Sequence, residues 1–537
     1  MRLREAFTLA AWVKPDAAFS GDGRIIDKAL PGTDNGYLLD IHQGRPRVIV
    51  KSAALSGPTK VPAGEWSHMA ATFDVTKGLV LYLNGKAVAE KRPIELPIDP
   101  EWLSQAHAML RFVYAAAGRG AYPLKFNGSI FTVAGGGYDD DYRAWGGGYW
   151  FQNTRLPYWP MLVSGDFDLM QPFFKLYMDI LPLSKERCRR YFNHDGALIP
   201  EMIWFWGTYP NRVYGWNREG RSVDWVEAGR IIHHYNNMLE LLAIMLDYHA
   251  FTKDETFLKE KLVPMARELL TFFDEHYPRD PDGKFVIPRG MALESWDDVR
   301  NPAQDIAGLH WVLEGLLRLP ESAYSSELRA RWKNLREALP PLATTTTPEG
   351  KKKLAVGDVN PGPRRNVEVP ELYSVFPFRI YGVGKPDLEL ARTTWRERDL
   401  RYYWGWHQDD IWAAMLGMTE EARSYLVQRM LPSNNTIRQG RSDSGQRFPV
   451  FWGPGHDWTP DGDHQGVAIT TLQAMLLQYN GDIKLFPAWP RDWDVDFKLR
   501  APDRTAVEGT YRAGKLIRLV VTPKEREKDI VLPEWLK

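Results

Sequence analysis

The hydrophobic period of this chain changes near residue 93, and that change divides what it can fold into. From residue 7 to about 92, apolar and polar positions alternate in short runs, the period of strands with one buried face. The runs are Phe7–Val13, Arg24–Lys28, Tyr37–Ile41, Arg47–Val50, Trp66–Phe73 and Leu79–Leu83, with Pro15-Asp16 and Pro31-Gly32 as turn signals. Asn84-Gly85 suits a type I′ hairpin, in which both central residues take positive φ. Short strands at this spacing predict a β-sandwich over residues 1–92. A Pro-rich joint at 93–100 follows, and helical periodicity then dominates to about residue 480.

Within that stretch, Val226–Leu246 reads as a helix buried on most faces and Phe257–Phe273 as an amphipathic one. Further helices are predicted at Gln171–Leu181, Asp305–Leu319, Ser326–Glu337, Ile411–Met418, Thr419–Met430 and Val467–Gln478. Gly-, Pro- and aromatic-rich loops separate them. Antiparallel pairs joined this way fit a ring, whose inner helix ends and loops gather round one pocket. The helical domain is expected over 101–480. Alternation returns after Gly481, clearest over Tyr511–Val521, and predicts a small C-terminal β-element over 481–537.

Charge and cysteine content exclude several classes. Lys+Arg and Asp+Glu both number 68, so no basic excess is present to track phosphates, and nucleic acid is not an expected partner. Cys188 is the only cysteine, which rules out an intrachain disulfide and a Cys-based metal site. Its neighbours suit a helix, and a buried structural thiol is expected. No apolar run approaches the ~20 residues of a membrane span. No signal peptide precedes the first strand, since Met1-Arg-Leu-Arg-Glu leads straight into it. The 22 Trp and 23 Tyr fall largely in short motifs. Such rings stack on flat apolar sugar faces, although large helical cores also use them.

Four segments could carry chemistry. In Asp141–Pro160, three glycines among Trp145, Trp150 and Trp159 permit close approach, and Asn153 and Arg155 offer fixed donors. In Ile287–Asp298, Glu294 lies among Met291, Leu293 and Trp296, surroundings that raise a carboxyl pKa and suit a general acid. Trp404–Asp410 contributes Trp406, His407, Asp409 and Asp410 where a helix opens. Phe451–Gly466 carries Trp452, His464 and Gln465, and delivers Asp457, Asp461 and Asp463 to a helix N-terminus. An ionised carboxylate there could hold a water as general base. Inverting hydrolysis of a sugar needs one protonated and one ionised carboxyl, a pair that Glu294 and one of these Asp residues could supply. A metal site from His407, His456 and His464 lacks the spacing of known zinc motifs, and neither metal nor cofactor is expected.

Two resemblances sharpen this reading. Phe7-Thr-Leu-Ala-Ala-Trp-Val-Lys-Pro15, Gly64-Glu-Trp-Ser-His-Met69 and Tyr82-Leu-Asn-Gly-Lys86, in that order, resemble the laminin-G/concanavalin-A-like family. Domains of that family carry another strand before the first motif. The start is therefore expected to be truncated, and a secreted, periplasmic or cell-surface location is expected. Sugar binding and an inert spacer are the two readings of this module, as no acidic cluster marks a calcium site.

The second resemblance rests on Asn153-Thr-Arg-Leu-Pro-Tyr-Trp-Pro160, Ala292-Leu-Glu294, Leu372-Tyr-x-x-Phe-Pro377, Asp463, Ala474-Met-Leu-Leu-Gln478 and Leu485-Phe-Pro-Ala-Trp-Pro490. In this order they resemble glycoside hydrolase family ninety-five, inverting α-L-fucosidases and α-L-galactosidases built on an (α/α)6 toroid. The resemblance implies a carbohydrate substrate, Glu294 as general acid, Asp463 as base, and Asn153 as one of two asparagines orienting that base and its water. Asp461 is the reserve for the base. Phe151 stands where the other asparagine would be. The family's His-rich stretch becomes Asn366-Val-Glu-Val-Pro-Glu371, so Glu368 or Glu371 would meet sugar hydroxyls or a cationic sugar, and fucose specificity is not carried over. The family's large N-terminal β-domain is absent, with the lectin-like module in its place. An exo-acting hydrolase is expected. The alternatives are a polysaccharide lyase using His233, Tyr235 and Arg155, and a sugar-binding protein without catalysis. Oligomeric state is not legible in the sequence.

Overall fold

The structure, a computed structural model, describes residues 6–19, 21–28, 36–50, 53–74, 78–91, 100–127, 145–359, 362–430 and 461–536. It divides into two compact units, Met1–Asp99 and Pro100–Lys537. Trp452, His456 and Asp457 lie outside the described residues.

The first unit holds eight strands: β1 (Ala6–Val13), β2 (Gly23–Asp27), β3 (Tyr37–His42), β4 (Arg45–Val50), β5 (Ala53–Ser56), β6 (Ser67–Asp74), β7 (Gly78–Leu83) and β8 (Lys86–Lys91). They form two antiparallel sheets, β1-β6-β7-β8 and β2-β3-β4-β5. Alternation does the folding here. In β7 Leu79, Leu81 and Leu83 point inward, and they meet Leu39, Ile41, Val48 and Val50 of the other sheet in one core. Asn84 (φ 49°) and Gly85 (φ 77°) make the expected hairpin between β7 and β8. A second such turn, Gln43 (φ 54°) and Gly44 (φ 76°), joins β3 to β4. Glutamine at a position requiring positive φ gives no sequence cue, so this turn was not legible in advance.

The second unit is helical with short strands. Asn236–Thr252 and Ala303–Leu317 pack together at its centre, with Leu239, Leu242, Met245, Leu309, Val312 and Leu316 fully buried. The first of these helices begins at Asn236, ten residues later than its periodicity predicted. The preceding stretch turns instead, and Ile231 joins Met202 and Val213 in a small separate cluster. Similarly, the helix expected over Gln171–Leu181 ends at Asp179, and Leu181–Phe192 starts anew with Pro182 in its first turn. Cys188 on this helix is buried beside His194, and burial pushes its thiol up to about 12, as befits a structural residue. The C-terminal strands Val495–Ala501, Thr505–Arg512 and Lys515–Thr522 form an antiparallel sheet. Leu499, Val507, Tyr511 and Val521 share the core of the helices, so this sheet belongs to the same unit. No helix among the described residues is long and apolar enough to cross a membrane.

Candidate active site

A single helical turn, Phe151–Thr154, organises the site. Its residue Gln152 donates from Nε2 to Glu294 Oε1 at 2.9 Å, and the adjacent Asn153 donates from Nδ2 to Asp463 Oδ2. Neighbouring residues on a helix project about 100° apart, so one turn holds two carboxyls on different sides of itself. Phe151 points the other way, packing on Phe173 and Tyr177 in the core. Glu201 secures the start of the turn: its carbonyl accepts Phe151 N–H at 2.9 Å and its Oε1 accepts Gln152 N–H at 2.7 Å. Trp150, at the N-cap position, supplies no side-chain cap, so Glu201 takes that part.

Glu294 occupies the tip of a hairpin formed by Gly290–Ala292 and Trp296–Val299, with Ala292 opposite Trp296. The three-residue loop requires Leu293 to take φ 52°, a left-handed conformation that disfavours a leucine. Leu293 is fully buried in the core, which holds it there. Glu294 is 8% exposed. Its Oε2 accepts from Asn366 Nδ2 at 3.1 Å, and its backbone N–H donates to Glu368 Oε2 at 2.6 Å. Burial raises the Glu294 pKa above the ordinary carboxyl value, outweighing Gln152, Arg230 and Asn366, which favour the ionised form.

Three acidic groups share this region. Glu368 is held well above the usual range by burial and then by the charge of Glu294. Glu201 is likewise raised well above it, first by burial, against Gln152 N–H and Arg155, with Glu294 and Glu368 adding to the rise. The charges of these carboxyls oppose one another's ionisation, in the same direction as burial. His234, whose Nε2 is 4.0 Å from Glu201 Oε2, is pushed down to about 3 by burial and stays neutral.

Asp463 lies fully buried in the first turn of Gly462–Leu476. Asp461 occupies a different position, as the N-cap of this helix, where its side chain accepts the N–H of His464 and its backbone bridges to Asn127.

The remaining expected residues divide into two groups. Trp145, Trp150, Trp296 and Glu368 lie with the loops around Glu294. Trp145 meets Trp150 edge-on at 5.9 Å, the Arg364 guanidinium sits 4.4 Å over the Trp296 ring, and Glu368 Oε2 also accepts from Ser295 Oγ at 3.3 Å. Glu371 is buried in the short turn Pro370–Ser374. Trp406 and His407 stack on each other at 4.3 Å, and His407 also stacks on Tyr402. Gln465 is buried, its N–H bonded to Asp461 O.

The others are engaged inside the fold. Arg155 pairs with Glu240 and donates to Tyr373 Oη at 2.9 Å, while Trp159 Nε1 donates to the same Glu240 at 3.0 Å. Asp409 pairs with Arg398 at 2.5 Å, and Asp410 with Arg429 at 2.8 Å. His464 Nδ1 accepts from Gly405 N–H and Arg429 Nη1, which assigns its proton to Nε2, donating to Arg429 O. With both nitrogens engaged, His464 is no metal ligand. Tyr235 packs against Phe272 and His276, with its phenol pKa raised well above normal by burial. A cleft lined by Trp159, Phe376, Arg379, Met415, Gln473 and Tyr479 touches neither Glu294 nor Asp463.

Sequence reasoning missed Gln152, Glu201, Asn366 and Arg364. Gln152 stands next to a chosen residue, and Asn366 opens a segment already singled out. Glu201 lies in Pro200-Glu201-Met202, which carries no motif. Among the described residues, several buried polar atoms here have no hydrogen-bond partner: Gln152 Oε1, Arg155 Nη1, His234 Nδ1, Glu368 Oε1 and Gln408 Oε1. Unpaired buried polar atoms also occur elsewhere among the described residues; those on residues bonded to Glu294 are Gln152 Oε1 and Glu368 Oε1.

Two buried carboxyls tied to one helical turn are an arrangement that acid–base catalysis can use. The chain belongs to glycosyl hydrolase family 95, whose catalytic domain matches residues 132–436, including Asn153 and Glu294; Asp463 lies beyond the match. Residues 2–107 match the concanavalin A-like lectin/glucanases superfamily. No curated protein matches the chain in sequence. Among solved structures, a putative kojibiose phosphorylase from human microbiome is 9% identical, covering 93% of this chain and 77% of its own, with a TM-score of 0.45. A glycosidase variant in complex with glucose is 14% identical over 70% of this chain and 99% of its own, at 0.42. A native heptameric SAP-like pentraxin from Limulus polyphemus is 20% identical over 17% of this chain and 47% of its own, at 0.14.

Proposed function

We propose that this chain is an inverting, exo-acting glycosidase on an (α/α)6 toroid, with Glu294 as general acid and Asp463 as general base. The observation that carries the proposal is the pair of hydrogen bonds from Gln152 to Glu294 and from Asn153 to Asp463. Glu294, its pKa raised by burial, gives its proton to the leaving glycosidic oxygen. Asp463, oriented by Asn153, takes a proton from the water that attacks the anomeric carbon from the opposite face. Asp461 is committed to capping its helix, which favours Asp463 for that role. Glu368 Oε1, unpaired next to Glu294, would accept a hydrogen bond from a sugar hydroxyl.

The test is hydrolysis of aryl glycosides and of plant and algal polysaccharides by the wild type, Glu294→Gln and Asp463→Asn. Each variant is expected to lose about 10²–10⁴-fold in kcat, and proton NMR should show the product born with inverted anomeric configuration. The wild-type rate should fall as pH rises through the raised Glu294 pKa, since only the protonated acid can donate. Full activity in Glu294→Gln, or a product of retained configuration, would refute the assignment.

A further inference from the structure

The backbone that enters the catalytic turn also carries a surface of exposed aromatic rings. Tyr149–Trp150, just before Gln152, pairs antiparallel with Met202–Ile203, just after Glu201, with Trp150 opposite Met202. The flanking loops are therefore neighbours. Trp145 stands edge-on to Trp150, and Trp204 stacks on Trp206 with centroids 5.4 Å apart and planes 14° apart. Phe205 meets Trp206 at 4.6 Å, and Tyr122 meets Phe205 at 4.7 Å. A Cβ on Gly147 would run into the Trp204 ring, so the two loops touch there and the aromatic surface is continuous.

Water reaches this surface. Trp206 is 51% exposed, Tyr122 50%, Phe205 41% and Trp145 39%. Elsewhere in the second unit, Phe112 and Trp216 are the other exposed large aromatics among the described residues, so exposed ring area is concentrated on this face. A folded chain leaves a contiguous ring surface exposed where something is meant to cover it. Two features identify the occupant. The half-exposed rings lie beside a fixed donor, the Arg212 guanidinium 5.4 Å over Trp145, and apolar ring surface next to a hydrogen-bond donor suits a pyranose with its apolar face and hydroxyls. The platform also adjoins, in the same strand pair, the turn that holds Glu294 and Asp463.

We infer that this face binds a glycan chain running away from the cleavage site, so the substrate is an oligo- or polysaccharide of several pyranose units. The inference rests on Glu294 and Asp463 being the catalytic pair.

The experiment probes an array of plant and algal polysaccharides with full-length Glu294→Gln and with the triple variant Glu294→Gln/Phe205→Ala/Trp206→Ala. Expected is retention on at least one polysaccharide, weakened roughly tenfold or more by loss of the two rings, with Trp206→Phe restoring part of it. In the background without the Glu294 change, the ratio of kcat/KM on that polysaccharide to kcat/KM on an aryl monoglycoside should fall in parallel. Thermal unfolding and near-ultraviolet circular dichroism check that the variants are folded. Equal retention with and without the rings, retention on no polysaccharide, or a change from dimer to monomer on ring removal would overturn the platform. Glycan retained through the rings but hydrolysed independently of Glu294 would sink the catalytic assignment and leave the platform standing.

Discussion

Gln152 and Asn153 hold their carboxyls only as firmly as the turn beneath them is held, and Glu201 holds that turn by two N–H groups. Burial holds the Glu201 pKa well above the ordinary carboxyl value, and its amide counterpart is nearly isosteric with it. Glu201→Gln is therefore expected to keep most of kcat, because the amide oxygen can still accept Gln152 N–H. Glu201→Ala leaves that N–H buried and unpaired, a loss of about 1–3 kcal/mol. Its kcat on an aryl glycoside should drop about 10- to 100-fold, and comparable losses in both variants would show that Glu201 acts through its charge instead. Glu294 and Asn153 were legible in the sequence because each stands in a motif, among residues whose types declare an environment. Glu201 was not, since its role comes from contacts with Phe151 and Gln152, the latter 49 residues away, that no local pattern records.

At the scale of elements, Arg429 ties three helices together. It reaches from Thr419–Met430 to Asp410 in Asp409–Met415 and to His464 in Gly462–Leu476. The ion pair is fully buried, so Asp410→Asn leaves an uncompensated guanidinium in the core. A loss of about 3–5 kcal/mol is expected, read as a large fall in the unfolding midpoint. A shift of under 1 °C would mean that water or a carbonyl takes the place of Asp410. The sequence suggested Asp409, Asp410 and His464 as substrate contacts because they sit in Trp-rich loops beside helix starts. Their partners, Arg398 and Arg429, are 11, 19 and 35 residues away, across breaks between elements that no local pattern spans. Six of the eight strands of the first unit, by contrast, were legible as alternating runs, because a strand's period depends on which face meets the core, whereas β5 (Ala53–Ser56) and β8 (Lys86–Lys91) were not among those runs.

Across the whole molecule, the buried acids set how stability varies with pH. Glu368 has a folded pKa raised well above its model-peptide value of 4.5. Between those two values the folded state binds more protons than the unfolded one, so stability declines as pH rises. His234, pushed down to about 3, works in the opposite direction below its ordinary value of 6.5. The clean measurement is therefore a difference: the unfolding midpoint of Glu368→Gln minus that of the wild type. That difference should climb as pH rises from about 4.5 toward neutrality, and a flat line would mean that Glu368 ionises normally.

The turn Phe151–Thr154 also constrains how this protein can change over time. Substitutions within it can be absorbed one at a time, since Phe151 faces the core while Gln152 and Asn153 face the carboxyls. An insertion or deletion of one residue cannot, because it rotates everything beyond it by about 100° and releases both carboxyls together. Distant relatives should therefore align through these four positions without a gap, whatever residues they carry there.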